Sequence, residues 1–225
     1  MIWFSAVILR KEQNDDVVRR RDFRASGSAQ IHINVELHAM SKKLGKILVV
    51  DVEATCWEGS PPPGQESEII EIGLCLLEIA SGQRLDKQSI LLRPERSQVS
   101  PFCTQLTTLT QEEVDRGTTF KAACLMLQQQ YASKNRVWAS YGDYDRRQFQ
   151  KQCEAFAVNY PFGPTHINVK NLFAIAHGLA DEVGMAKALE LMQRPLAGVH
   201  HRAGDDAWNI AGILSELLLK LRSRQ

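Results

Sequence analysis

The sequence predicts an α/β fold: one mixed β-sheet with helices flanking both of its faces. Three observations lead there. Ile47–Val52 is a continuous, largely β-branched run, the pattern of a strand buried on both faces. Three strand-like runs follow one another, after which strands alternate with helical patterns, an order that mixes antiparallel and parallel pairing. A hydrophobic content of 44% with 24% charged residues supports a real core, and 225 residues suit one domain with a tail better than two domains.

The elements run as follows. Residues 1–45 form an N-terminal extension with no sustained helical or strand period, expected to be poorly ordered. They carry the basic run Arg19-Arg20-Arg21 and the Ser26-Gly27-Ser28 stretch. A second methionine, Met40, stands just before the first convincing strand, so Met40 reads as the natural start and residues 1–39 as an extension or disordered arm. The main domain is residues 46–225. After the strand Ile47–Val52 comes a polar loop with Pro61-Pro62-Pro63. Ile69–Ile79 and Ser89–Leu92 read as strands joined by the turn Ala80-Ser81-Gly82-Gln83. Thr110 with Glu113 three residues on has the form of a capping box opening a short helix. Phe120–Tyr131 has apolar residues at helical spacing, Arg136–Ala139 reads as a short strand, and Asp145–Val158 as a helix. A last strand at His166–Val169, one or two helices in residues 170–192, and an amphipathic helix Asp205–Leu219 complete the chain.

Charge and cysteine content narrow the function classes. The net charge of +1 argues against a broad basic coat for nucleic acid, so any such binding must be local, through a cleft and bound cations. Residues 1–45 carry +3 and residues 46–225 carry −2. The five cysteines are odd in number and lack zinc-ligand spacing, which fits reduced thiols in a cytoplasmic protein. No apolar run is long enough to span a membrane, and Ile2–Leu9 lacks the flanks of a signal peptide.

Three places in the sequence can carry chemistry. Asp51 and Glu53 alternate at the end of the buried strand, so both side chains share one face. Two such carboxylates repel unless a cation lies between them, and Mg²⁺ or Mn²⁺ suits oxygen ligands. A pair of ordinary solvated acids is the competing reading. Tyr141-Gly142-Asp143-Tyr144-Asp145 opens a helix, where Asp143 or Asp145 equally suits an N-cap. His200-His201-Arg202-Ala203-Gly204-Asp205-Asp206 leads into the terminal helix; Asp205 is the better cap there, which leaves Asp206 free.

Taken together, "ILVVDVEATCWEG", "SEIIEIG", "SPFCTQLTTLT", "ASYGDYD" and "HHRAGDD" resemble the DEDDh 3′→5′ exonucleases, within them the Eri-1-like branch of enhanced-RNAi and histone-mRNA 3′ exonucleases and KapD-type proteins. The resemblance covers roughly residues 45–221 and implies an RNase H-like sheet. It also implies two divalent ions, Mg²⁺ or Mn²⁺, held by Asp51, Glu53, Asp145 and Asp206, with His201 as general base. His200, Asp205 and Asp143 are one register off and stand as alternates. The implied reaction shortens RNA from its 3′ end, single-stranded DNA being a second substrate, and releases nucleoside 5′-monophosphates. Ala54, Thr55 and Cys56 stand where relatives bring backbone amides and small side chains against the terminal nucleotide. Trp57 and Phe102 are candidates to stack on bases, whereas Leu106 reads as core. Thr108 departs from the resemblance, since relatives often carry Gly there. A regulatory protein-binding module on an exonuclease fold is the competing function.

Overall fold

The computed structural model describes residues 44–223, so the expectations for residues 1–43, including the start at Met40, lie outside the described residues. Five strands form one sheet: β1 (Lys46–Ala54), β2 (Ile69–Glu78), β3 (Arg84–Leu91), β4 (Val137–Ser140) and β5 (His166–Asn168). Their order is β3-β2-β1-β4-β5. β1 pairs antiparallel with β2, and β2 with β3, while β4 runs parallel to both β1 and β5. The sheet is therefore mixed, as expected. The central β1 is buried for nearly its whole length, which is why its sequence shows no polar alternation.

The helices are α1 (Pro101–Thr107), α2 (Gln111–Asp115), α3 (Phe120–Tyr131), α4 (Tyr144–Ala155), α5 (Val169–Ala176), α6 (Met185–Leu191) and α7 (Ala203–Arg222). They cover both faces, and the two-residue period of β1 decides which side chain meets which layer. Ile47 and Val49 pack with Phe173 of α5, Leu189 of α6 and Ile210 and Leu214 of α7. Leu48, Val50 and Val52 pack on the other side with Phe120 and Leu127 of α3 and Phe149 of α4. The odd-numbered set continues along β1 into Asp51 and Glu53, so both acids project toward the α7 layer.

Several boundaries differ from the sequence expectation, each for a physical reason. β3 starts at Arg84 rather than Ser89, because an edge strand can pair its backbone while leaving polar side chains in water. The helix expected over Asp145–Val158 ends at Ala155, and Ala157 lies in the left-handed region. α1 is an element the periodicity does not reveal. Its signal is local: Ser100 accepts from Cys103 N at 3.0 Å, and Pro101 occupies the first turn. The capping box at Thr110 and Glu113 is formed in both directions.

The N-terminus of α7 presses directly on β2. A Cβ on Gly73 would come within 1.8 Å of the Ala203 carbonyl oxygen, so only glycine allows this approach. That contact carries the end of α7 up to the head of β1.

Candidate active site

The heads of β1, α4 and α7 meet around a cleft of about 400 Å³ lined by Asp51, Glu53, Asp145, His200, His201 and Asp206, among others. Asp51 and Glu53 come from β1. Asp145 comes from the first turn of α4 and Asp206 from the first turn of α7, where the helix dipole favours a negative charge. One carboxylate oxygen from each of Asp51, Glu53 and Asp206 lies within 4.8 Å of the others. Asp145 stands beside them, its Oδ1 accepting from Val52 N at 3.0 Å. Neither helix acid serves as a cap: Asp143 and Arg202 occupy the cap positions, and neither makes a side-chain cap bond. The expectation that Asp205 caps α7 is corrected. It accepts instead from Val199 N at 2.7 Å and from the Lys87 ammonium.

Crowding four carboxylates in a buried corner makes their ionisation costly. Loss of hydration, and then the charges of Asp206, Glu71 and Asp145, push Glu53 up to about 8. Burial likewise raises Asp145 to about 7, against the pull of its backbone and Ser140 hydrogen bonds. Asp51 lies well above the ordinary carboxylate range through burial and the charge of Asp145, followed by Glu53, Asp206 and Glu71. Burial also raises Asp206, although His200 and the His201 backbone oppose the shift.

Asp206 divides its two oxygens. Oδ2 accepts from His200 Nδ1 at 2.9 Å and from His201 N at 3.0 Å. Oδ1 is buried and has no hydrogen-bond partner among the described residues. A buried carboxylate oxygen with no donor is costly and calls for a cation. An all-oxygen donor set of this kind fits a hard divalent ion such as Mg²⁺ or Mn²⁺. The two histidine rings stack at 4.0 Å, and His201 Nδ1 lies 3.9 Å from Glu53 Oε1. His201 has φ of 62°, a left-handed backbone that turns its ring over the cleft. Burial and the neighbouring His200 hold its imidazole below the ordinary range.

The remaining expected site residues divide. Ala54 lines the cleft. Thr55 is fully buried, with Oγ1 2.9 Å from Ser97 Oγ and accepting from Glu68 N, so only its backbone is left to face the cleft. Trp57 is half-buried and does not line the cleft. Phe102 is 38% exposed on α1. Leu106, read as core, is 37% exposed one turn further along and lines the cleft, so that reading is overturned. Sequence reasoning missed Tyr144, an exposed ring on the cleft wall next to Asp145. Its one signal was an aromatic preceding the acid.

The sequence matches the family model described as Exonuclease (RNase_T) over residues 48–214. The chain belongs to this exonuclease family. All four carboxylates and both histidines of the cleft fall within the matched span. Among characterised exonucleases it is 31% identical over 182 residues to the Homo sapiens 3'-5' exoribonuclease 1, covering 76% of this chain and 52% of that protein. The chain thus spans about half the length of this relative and of its rat and mouse counterparts. A solved nuclease domain of 3'hExo, a DEDDh family member bound to rAMP, superposes with a TM-score of 0.66 at 28% identity, covering 78% of this chain and 92% of that one. A 3'-exonuclease solved for 3'-end specific recognition of a histone mRNA stem-loop gives 0.70 at 26% identity, covering 86% and 72%. These likenesses agree with the RNase H-like sheet expected from the sequence.

Proposed function

We propose that this chain is a metal-dependent 3′→5′ exoribonuclease that removes nucleoside 5′-monophosphates from RNA 3′ ends, with single-stranded DNA as a secondary substrate. The observation that carries the proposal is the buried, donorless Oδ1 of Asp206, set among carboxylates from three separate elements. Asp51, Glu53, Asp145 and Asp206 would hold two divalent ions, Mg²⁺ or Mn²⁺. Such a pair, when bound, activates water and stabilises the departing 3′ oxygen.

The chain's own residues supply the rest. His201, held below the ordinary imidazole range, is neutral near pH 7 and free to take a proton from an attacking water. Its backbone N–H is fixed by Asp206, and its ring lies beside Glu53, so its position is tied to the acids. Tyr144 and Leu106 offer a stacking surface and an apolar wall for the terminal nucleotide. Ala54 keeps the backbone open to close approach. Phe102, one turn from Leu106, extends the apolar side of α1 toward the next base.

The RNA preference draws on the relatives, which act on or bind RNA 3′ ends. Five free cysteines, four of them buried, suit the reducing cytoplasm. Among the described residues no helix is long and apolar enough to cross a membrane.

The test is product analysis. Incubated with Mg²⁺ or Mn²⁺, a 5′-labelled single-stranded RNA should yield a ladder shortening from the 3′ end. A 3′-labelled RNA should release labelled nucleoside 5′-monophosphate at once. Internal cuts or 3′-phosphate products would contradict the proposal, and an intact RNA bound without cleavage would favour a regulatory binding module.

A further inference from the structure

Glu71 is a fifth carboxylate behind the cleft, next to Glu53, and it is bonded quite differently from the other four. It stands directly across the β1–β2 ladder from Glu53, so both side chains project to the α7 layer. It is 1% exposed. Its oxygens accept from Arg202 Nε at 3.2 Å, Arg202 Nη2 at 3.3 Å, Ala203 N at 3.0 Å and the Ser89 hydroxyl. Four donors use up the lone pairs best placed for bonding, which leaves Glu71 poorly suited to ligate a cation. Asp206 Oδ1 has none.

The donors on Glu71 belong to one short segment. Arg202 follows His201 directly, Ala203 is the first residue of α7, and Asp206 is three residues further. His201 takes a left-handed backbone that a non-glycine residue adopts only when its surroundings impose it. Gly73, two residues along β2 from Glu71, admits Ala203 against the sheet. The corner that carries His201 and Asp206 is therefore fastened to the sheet through Glu71.

We propose that Glu71 and Arg202 are a positioning pair, which sets His201 and Asp206 against Asp51 and Glu53 without touching substrate. This inference rests on the exonuclease reading of the site. A planar guanidinium gripping both oxygens fixes direction as well as distance, which a lysine ammonium cannot do.

The test compares wild type with Arg202→Lys, which keeps a positive charge facing the buried Glu71 carboxylate, and Glu71→Gln, which keeps the side chain's shape and an acceptor oxygen. Three quantities are read: Mn²⁺ affinity by calorimetry, kcat and KM on a short RNA, and the melting temperature. Mn²⁺ affinity and kcat should each fall about tenfold or more, as for other groups that orient metal ligands. KM should move by less than about twofold, the signature of an interaction outside substrate binding. Adding His201→Ala to Arg202→Lys should cost far less than it does in wild type, because the second change removes a group already displaced. If wild type leaves RNA intact while both variants still lose Mn²⁺ affinity, the exonuclease reading fails and the positioning pair stands. If the folded variants keep wild-type affinity and kcat, or if KM rises with kcat unchanged, the positioning role is overturned. Should Arg202→Lys not fold, Glu71→Gln carries the same test, since it keeps an acceptor for Ala203 N.

Discussion

Asp206 and His201 show how single residues acquire their character from neighbours. Asp206 has one oxygen satisfied by a ring nitrogen and a backbone N–H and another left bare, an asymmetry that leaves the bare oxygen available to a cation. Substituting Asp206 or Asp51 by Asn should cut exonuclease activity by orders of magnitude while leaving the metal-free fold as stable or more so, since one member of a mutually repelling cluster is neutralised. Activity assays paired with melting curves check both halves. For His201→Ala the expected loss in kcat is about 10²- to 10⁴-fold, the usual worth of a general base. The acid limb of the wild-type pH–rate profile should lie below the ordinary imidazole range and vanish in the variant. His200→Ala should have a smaller effect, although not a silent one, because His200 Nδ1 binds Asp206. If His200 proves the residue whose loss abolishes the limb, the register is wrong. That contact between His200 and Asp206 was not legible in the sequence, since the spacing identified candidate acids and histidines without saying which nitrogen meets which oxygen.

At the scale of elements, the most legible were those whose pattern arises from burial. β1 is buried on both faces and α3 on one, so hydrophobic periodicity gave β1's core and the whole of α3. Edge strand β3 and helix α1 were harder, because backbone pairing and capping hold them more than apolar spacing does. α1 brings Leu106 to the cleft. It ends at Thr108 with φ of 63°, a left-handed conformation unfavourable for an exposed β-branched residue. Thr108→Gly should therefore stabilise the protein by about 1 kcal/mol, the relief of left-handed strain exceeding the extra chain entropy of glycine. Denaturant unfolding measures it, and a destabilised variant would mean that the Thr108 side chain makes a contact worth more than the strain. The misreading of Leu106 as core has a related cause. Apolar residues at a cleft wall and in a protein interior look alike in one sequence.

For the molecule as a whole, the acid cluster makes stability depend on pH. The folded protein holds Asp145 at about 7 and Glu53 at about 8, whereas the unfolded chain titrates both near 4. Between those limits the folded state binds more protons, so the metal-free protein loses stability as pH rises from about 4 toward about 8. The expected loss is on the order of a few kcal/mol, since a tenfold difference in proton affinity between folded and unfolded states is worth about 1.4 kcal/mol. Unfolding in a chelator across that range should show it, and Mn²⁺ should flatten the slope by binding the ionised folded form. A profile that rises with pH would show that the carboxylates are not crowded together. The sheet that gathers these acids was largely readable from strand order, whereas the seat of α7 on Gly73 and Glu71 depends on a close approach between distant segments. The most direct measurement of the whole scheme is anomalous scattering from crystals grown with Mn²⁺ and a nucleoside 5′-monophosphate. Two peaks should appear among Asp51, Glu53, Asp145 and Asp206, one of them at Asp206 Oδ1. Peaks elsewhere, or a cleft in which Asp206 Oδ1 meets no ion, would contradict the assignment of these residues as the metal site.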